Sequence, residues 1–353
     1  MKRLVIAALA IGALAACTKS NVQLEQPGEI SFQPVAQKAT KAAVDGNAYP
    51  TDAAYKFNVW AWWGADNAGK ALASFTGDTP YIAEGTFEHR GSGSWGGSTP
   101  YYWPTKGSLV FAGYSPASAT GTFEYEFASK TFTATDYVQS NVIANANDLM
   151  WFDVTDESYD QKGTDGKGVP VKFQHALSWL TFKFNLKDDE TAARWTITDV
   201  KLVGIEDKAT FTAVKKGVKT WTTAVKSGDS KDEISVVTGA NYTVTYANGG
   251  TVLPGTDAGT NVKTNAVLVI PQSCAKDNAS IVITYNMKTY VGNGVLTGQT
   301  VTLPLNGSQI TNNMWEPGKH YIYTITFGAN EILIAPTVAD WVDVEPEIEI
   351  PVQ

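Results

Sequence analysis

Short runs that alternate apolar and polar residues recur along the chain, and this period-two pattern constrains the fold more than any other feature. Leu180, Phe182, Phe184 and Leu186 share one face of residues 180–186, while Thr181, Lys183 and Asn185 take the other. Tyr55, Phe57 and Val59 do the same ahead of Trp60 and Trp62. Successive side chains of a strand point to opposite faces, so each run predicts a half-buried strand. Further strands are predicted at 108–115 (SLVFAGYS), 121–127 (GTFEYEF), 130–138, 147–152, 197–205, 208–214, 234–246, 265–271, 280–285 and 321–327. Gly, Pro, Ser and Asn separate them, and no long helical pattern with a capping box interrupts them. The expected fold class is all-β. At 353 residues the chain is long enough for about two domains of roughly 150 residues each. Two successive β-sandwiches fit the number and spacing of strands.

The chain opens Met1-Lys2-Arg3 and then runs apolar from Leu4 to Ala16. A basic start followed by an apolar run too short for the roughly 20 residues of a membrane span is a secretory signal. Leu14-Ala15-Ala16-Cys17 places small residues just before a cysteine, the pattern of a lipoprotein signal cut before Cys17. Acylation of Cys17 anchors the chain on a membrane, because each buried CH₂ contributes about 0.8 kcal/mol. An ordinary signal with an incidental cysteine is the plainer alternative. Cys274 is then left as a lone structural thiol near a strand end.

After a polar tether at 18–28, Glu29-Ile30-Ser31-Phe32-Gln33-Pro34-Val35 alternates weakly and predicts a strand. Residues 36–43 (AQKATKAA) are small and basic, a short helix or an exposed loop open to proteases. The polar, Gly-rich stretch 154–170 is the best candidate domain boundary. At the far end Val342, Val344, Ile348, Ile350 and Val352 keep one register, and Asp343, Glu345, Glu347 and Glu349 fill the other. An edge strand accounts for Trp341 to Val344. Beyond that, an alternating tail is suited to completing another molecule's sheet.

Composition narrows the chemistry. With 27 Lys+Arg against 35 Asp+Glu the net charge is −8, and no basic stripe for nucleic acid is found. Two cysteines and three histidines give neither a disulfide framework nor a Cys/His metal module. Asp153, Asp156, Glu157 and Asp160 cluster, but the full calcium loop pattern is missing, so they predict a solvated acidic loop. Asp78, Glu84 and Glu88 carry no glycosidase signature beyond being carboxylates. His89, His175 and His320 lack partner spacing, and His175 predicts a packed strand end. Trp95, in the Gly/Ser-rich loop 90–98, predicts core or rim packing over sugar stacking. Trp60, Trp62 and Trp63 predict core. No enzyme, cofactor or metal site is expected.

The sequence resembles the fimbrillin superfamily of Bacteroidota, the fimbrillin-like pilin lipoproteins. The likeness is carried by the lipobox Leu14–Cys17, Ile30-x-Phe32 ahead of Thr40-Lys41-Ala42, and Tyr101-Tyr102-Trp103-Pro104 with Leu109-Val110-Phe111-Ala112-Gly113-Tyr114. It is also carried by Asp148-Leu149-Met150, Phe173-Gln174-His175-Ala176-Leu177-Ser178, Trp315-x-Pro317-Gly318-Lys319-x-Tyr321-x-Tyr323-x-Ile325-x-Phe327, and Val338-x-x-Trp341. The resemblance implies two tandem transthyretin-like β-sandwich domains, over 42–168 and 169–340. These follow a signal peptide (1–16) and a lipidated propeptide with the first strand (17–41). It implies export as an outer-membrane lipoprotein and cleavage by a trypsin-like protease at Lys41–Ala42, or at Lys38–Ala39 as second choice. It implies that cleavage displaces the Ile30/Phe32 strand. The vacated groove then takes the C-terminal strand of the next subunit, with Val342, Val344, Ile348, Ile350 and Val352 as donor residues. The expected partners are other pilin subunits, the outer membrane and a receptor on a host or bacterial surface. The alternative is a non-polymerising surface lipoprotein that binds glycans or host protein, a tip adhesin included.

Overall fold

The computed structural model describes residues 28–36, 49–51, 53, 55–65, 79–91, 93–160, 168–187, 195–225, 233–244, 251–253, 267–274, 279–288, 294–305, 313–328 and 332–340. Among these the regular elements are strands, apart from a single 3-10 turn at Ile143–Asn145. In chain order they are β1 (Ser31–Ala36), β2 (Phe57–Gly64), β3 (Ile82–His89), β4 (Trp95–Gly97), β5 (Ser108–Ser115), β6 (Thr122–Glu126), β7 (Thr131–Val138) and β8 (Met150–Asp153). Next come β9 (Val169–His175), β10 (Ser178–Leu186), β11 (Trp195–Val203), β12 (Lys208–Val214), β13 (Lys219–Val225), β14 (Glu233–Val237), β15 (Tyr242–Thr243) and β16 (Thr251–Leu253). The last are β17 (Val267–Val269), β18 (Ser280–Lys288), β19 (Val295–Pro304), β20 (Lys319–Phe327) and β21 (Ile332–Asp340).

The all-β expectation holds, but the first unit is not the expected two-sheet sandwich. Seven strands close into a barrel in the order β1-β4-β3-β2-β5-β8-β9. A separate four-stranded sheet, β13-β12-β7-β6, packs against it. Closure arises because β1 pairs antiparallel with β4 on one side and parallel with β9 on the other, joining two edges that would otherwise stay open. The strand pairing therefore crosses residue 168. β9 completes the barrel, and β12, from the second half of the chain, pairs with β7. Residues 154–160 lie along β5, with Tyr159 and Leu109 exchanging backbone hydrogen bonds.

β2 and β5 are buried on both faces, which explains why their sequences are apolar with little alternation. Phe57, Val59, Leu109 and Phe111 fill the barrel. Trp60, Trp62, Val110, Ala112 and Tyr114 face the four-stranded sheet and pack on Phe123, Phe132 and Phe211. Trp63 departs from the core expectation: it is 43% exposed, its indole N–H bonded to the Lys106 carbonyl at 2.8 Å. Lys215, next to the β12–β13 turn, ties the covering sheet to the barrel. It meets the buried Asp153 carboxylate at 2.8 Å.

The C-terminal unit is a sandwich of two sheets, β16-β10-β20-β21 with β17 added to β10, and β14-β11-β18-β19 with β15 added to β11. Leu180, Phe182, Phe184 and Leu186 of β10 point inward, as their alternation predicts, against Ile197, Ile281, Tyr323 and Ile325. Cys274 is fully buried in the same core, and burial pushes its thiol up to about 12, opposed by a backbone bond from Trp315. Its buried place fits the structural role the sequence predicts for it.

Candidate functional site

The strand that closes the barrel is the first one, β1. Its outer face is wet: Gln33 and Val35 are exposed. Its inner face is dry, with Ile30 and Phe32 at 0% exposure. Phe32 stands edge-on to Phe57, Phe87 and Phe111, with ring centroids 5.8, 4.8 and 5.2 Å away, and Phe152 lies at 6.4 Å. Edge-to-face pairs add about 0.5–1.5 kcal/mol each beyond the area they bury. Trp95 and Phe173 pack on Phe57 from the two strands that flank β1.

The backbone holds β1 on both sides. Ile30 N–H donates to the Tyr101 carbonyl at 2.7 Å, and Trp103 N–H donates to the Gly28 carbonyl at 3.0 Å. Toward β9 the parallel register runs from Phe32↔Val169 to Ala36↔Phe173. Gly168 makes the approach possible. It sits at φ +95°, and a Cβ there would stand 2.9 Å from the Ser31 carbonyl carbon and oxygen. At the rim Arg90 lies 3.9 Å from Glu29, a half-exposed pair worth at most about 1 kcal/mol.

Removing β1 would leave β4 and β9 as open edges flanking a trough lined by Phe57, Phe87, Phe111, Phe152, Val169 and Val171. An open trough of this kind offers unpaired backbone groups to an extended strand and space for its alternate apolar side chains.

Of the site residues predicted from sequence, Ile30 and Phe32 are placed in this groove. Cys17, Lys38, Ala39, Lys41, Ala42, Val342, Val344, Ile348, Ile350 and Val352 lie outside the described residues. Lys41 follows the last residue of β1 by five positions, and the tail follows β21, which forms one edge of its sheet.

The other constellations resolve into structural roles. Asp156 is surrounded by cations: Lys130 and Lys216 bond its carboxylate and hold it well below the usual carboxylate range, with Lys215 at 3.6 Å. Asp153 and Asp156 are thus partnered by lysines that sequence spacing does not reveal, because two of them come from the β12–β13 turn. Among the described residues no group of three or more His, Cys, Asp or Glu is placed to hold a metal ion. His175 ends β9 as a buried residue, with Nδ1 3.0 Å from the Asp148 carboxylate. The ring of His320 stacks on Trp179 at 3.5 Å. Trp95 is core, in β4.

The sequence profile of the fimbrillin-like family matches residues 40–341, and the chain belongs to that family. Two solved structures share its fold. A fimbrial protein from Bacteroides vulgatus aligns over 89% of this chain and 99% of its own, at 16% identity and a TM-score of 0.59. A protein assigned to cell adhesion from Bacteroides uniformis aligns over 90% and 100%, at 18% identity and a TM-score of 0.52. No curated protein matches the chain.

Proposed function

We propose that the chain is a structural subunit of a cell-surface fimbrium that assembles by strand exchange and supports adhesion. In this account it is exported as an outer-membrane lipoprotein through Cys17 and has no catalytic role. Cleavage after Lys41, or after Lys38, frees β1. The tail carrying Val342, Val344, Ile348, Ile350 and Val352 then enters the groove of the next subunit. The partners are other pilin subunits, the membrane through the lipid, and a surface receptor. The assignment of the two units as transthyretin-like comes from the family resemblance.

The observation that carries this account is the position of β1. It is the first described strand, it closes the barrel by itself, and its inward face fills an aromatic cage. A strand of six residues held mainly by its two neighbours can leave without unthreading any other element. Cleavage makes β1 a separate short peptide, so dilution opposes its return while the tail of the next subunit, still joined to its own fold, fills the groove.

A cleavage and truncation experiment tests it. Digestion of the precursor with a Lys-specific protease should give ladders that survive SDS without boiling, and removing residues 345–353 should abolish them. Ladders from the truncated chain would show that this tail is not the donor.

The surface-binding alternative keeps one observation of its own. Tyr81 and Tyr102 are half exposed and joined by a 2.8 Å bond from the Tyr81 hydroxyl to the Tyr102 carbonyl, and rings held this way can stack on sugar.

A further inference from the structure

We propose that the incoming tail copies β1 position for position, residues 342–348 taking the places of 30–36. Val344 then occupies the cage of Phe32, and Glu347 lies beside Lys172 of the receiving subunit. This register rests on the strand-exchange account above and selects one of several ways that exchange can run.

The first constraint is the hydrogen-bond ladder. Along a strand, successive residues turn their N–H and C=O groups to alternate neighbours. Gly28 and Ile30 bond the 101–103 segment, so even-numbered residues face the β4 side. Gln33 pairs with Pro170, which has no N–H, so the bonds at that pair are made by Gln33 and the odd-numbered residues face β9. Pro34 therefore points its missing N–H toward the β4 side, where the pairing stops at Phe32↔Trp95. A proline at this place costs no ladder bond.

The second constraint is the apolar face. Both segments read apolar-x-apolar-x-Pro: Ile30-x-Phe32-x-Pro34 and Val342-x-Val344-x-Pro346. Superposing the prolines puts Val342 and Val344 at the two fully buried places, and Pro351 falls at position 39, beyond the last β9 pair at Ala36.

Neighbouring registers fail. Moving the tail by two residues toward its end puts Pro346 in the aromatic cage. Moving it by four puts Pro346 where the Ile30 N–H bonds Tyr101. Moving it by six places Ile350 in the cage but Pro351 at position 33, which must donate to β9. Moving it the other way by two sets Asp340 at the buried place of Ile30. Odd shifts turn the carboxylates of 343–349 inward.

The third observation is charge. The place of Val35 pairs with Lys172, and both are exposed. In the proposed register Glu347 takes that place, so an apolar–cationic neighbour becomes an opposite-charge pair on the outer face of the barrel.

Paired cysteines test the register. Cys17 leaves with the cleaved segment and Cys274 is buried, so introduced thiols are the reactive ones. Lys172→Cys is combined in one chain with Glu345→Cys, Glu347→Cys or Glu349→Cys, and the cleaved chains are assembled and oxidised. The Lys172/Glu347 pair should give ladders that survive boiling without reductant, and the other two pairs should not. Locking by another pair, or by none although ladders form, overturns the register; the second result means the strand enters in the opposite direction or shifted by four residues or more. A cleaved wild-type chain that makes no ladders refutes strand exchange itself. A second measurement uses cage volume: Val344 is smaller than Phe32, so Val344→Phe should raise the temperature at which ladders dissociate in SDS. If Ile350→Phe raises it and Val344→Phe does not, Ile350 fills the cage and the register is wrong.

Discussion

Replacing Phe32 with alanine should weaken the precursor and leave the assembled form untouched. In the precursor the ring is fully buried and ringed by Phe57, Phe87, Phe111 and Phe152, so truncation removes its transfer energy and opens a cavity the rigid barrel cannot close. Phe→Ala changes at such sites cost about 3–5 kcal/mol. At about 2–4 °C per kcal/mol, the barrel transition should fall by roughly 6–20 °C. Thermal melting followed by near-ultraviolet circular dichroism reads this directly, because the cage is built of aromatic rings. Under strand exchange both chains, once cleaved and assembled, hold the incoming tail in place of β1, so the SDS-dissociation temperature of the ladders should be the same for each. If the Phe32→Ala ladder loses as much heat resistance as the precursor, β1 still occupies the barrel after assembly and the displacement argument is wrong.

Three further outcomes are expected, two from the geometry and one from the signal sequence. The Asp156 carboxylate is held low by Lys130 first and Lys216 second, against the opposing effect of burial. Its contribution to stability is complete above about pH 4 and is lost as pH falls through the lowered folded value, so the stability gap between wild type and Asp156→Asn should shrink to nothing in strong acid. Equilibrium urea melts at stepped pH measure that gap, and a gap that persists unchanged would contradict the ion pairs. Burial that pushes the Cys274 thiol up to about 12 should keep it unlabelled by iodoacetamide at pH 8 in the folded chain and labelled after denaturation. Cys17→Ala should lose acylation and leave the protein in the soluble fraction; normal membrane recovery would sink the lipid anchor.

Much of the sheet was legible in the sequence because period-two patterning survives wherever one face is dry. β10 and β20 show it most clearly, with Phe182, Phe184, Tyr323 and Ile325 all inward. β12 matches its predicted span of 208–214. Strands that break the pattern were missed for physical reasons. β9 carries Pro170 and sits where polar residues suggested a boundary, yet Val169, Val171 and Phe173 alternate, and the proline faces away from the ladder with β1. β19 is an edge strand with a mostly exposed face, so it has no apolar stripe to read. Barrel closure was invisible because it depends on β1 and β9 meeting in parallel, a pairing with about 137 residues between partners that no local pattern encodes.

The site was half legible. Ile30 and Phe32 lie in a run that alternates only weakly and were singled out by the family resemblance; the structure gives both a fully buried place. The rings that receive Phe32 come from β2, β3, β5 and β8, and only the closed barrel brings them together. Gly168 could not be singled out among 31 glycines without the Ser31 backbone against it.

The most direct test is the fate of β1 itself. Precursor is cleaved after Lys41, assembled and washed, and the ladders are dissolved in acid for intact-mass spectrometry. Strand exchange predicts chains beginning at Ala42 with no peptide containing Phe32. One such peptide retained for each chain would show that β1 never left its groove, and would contradict the account.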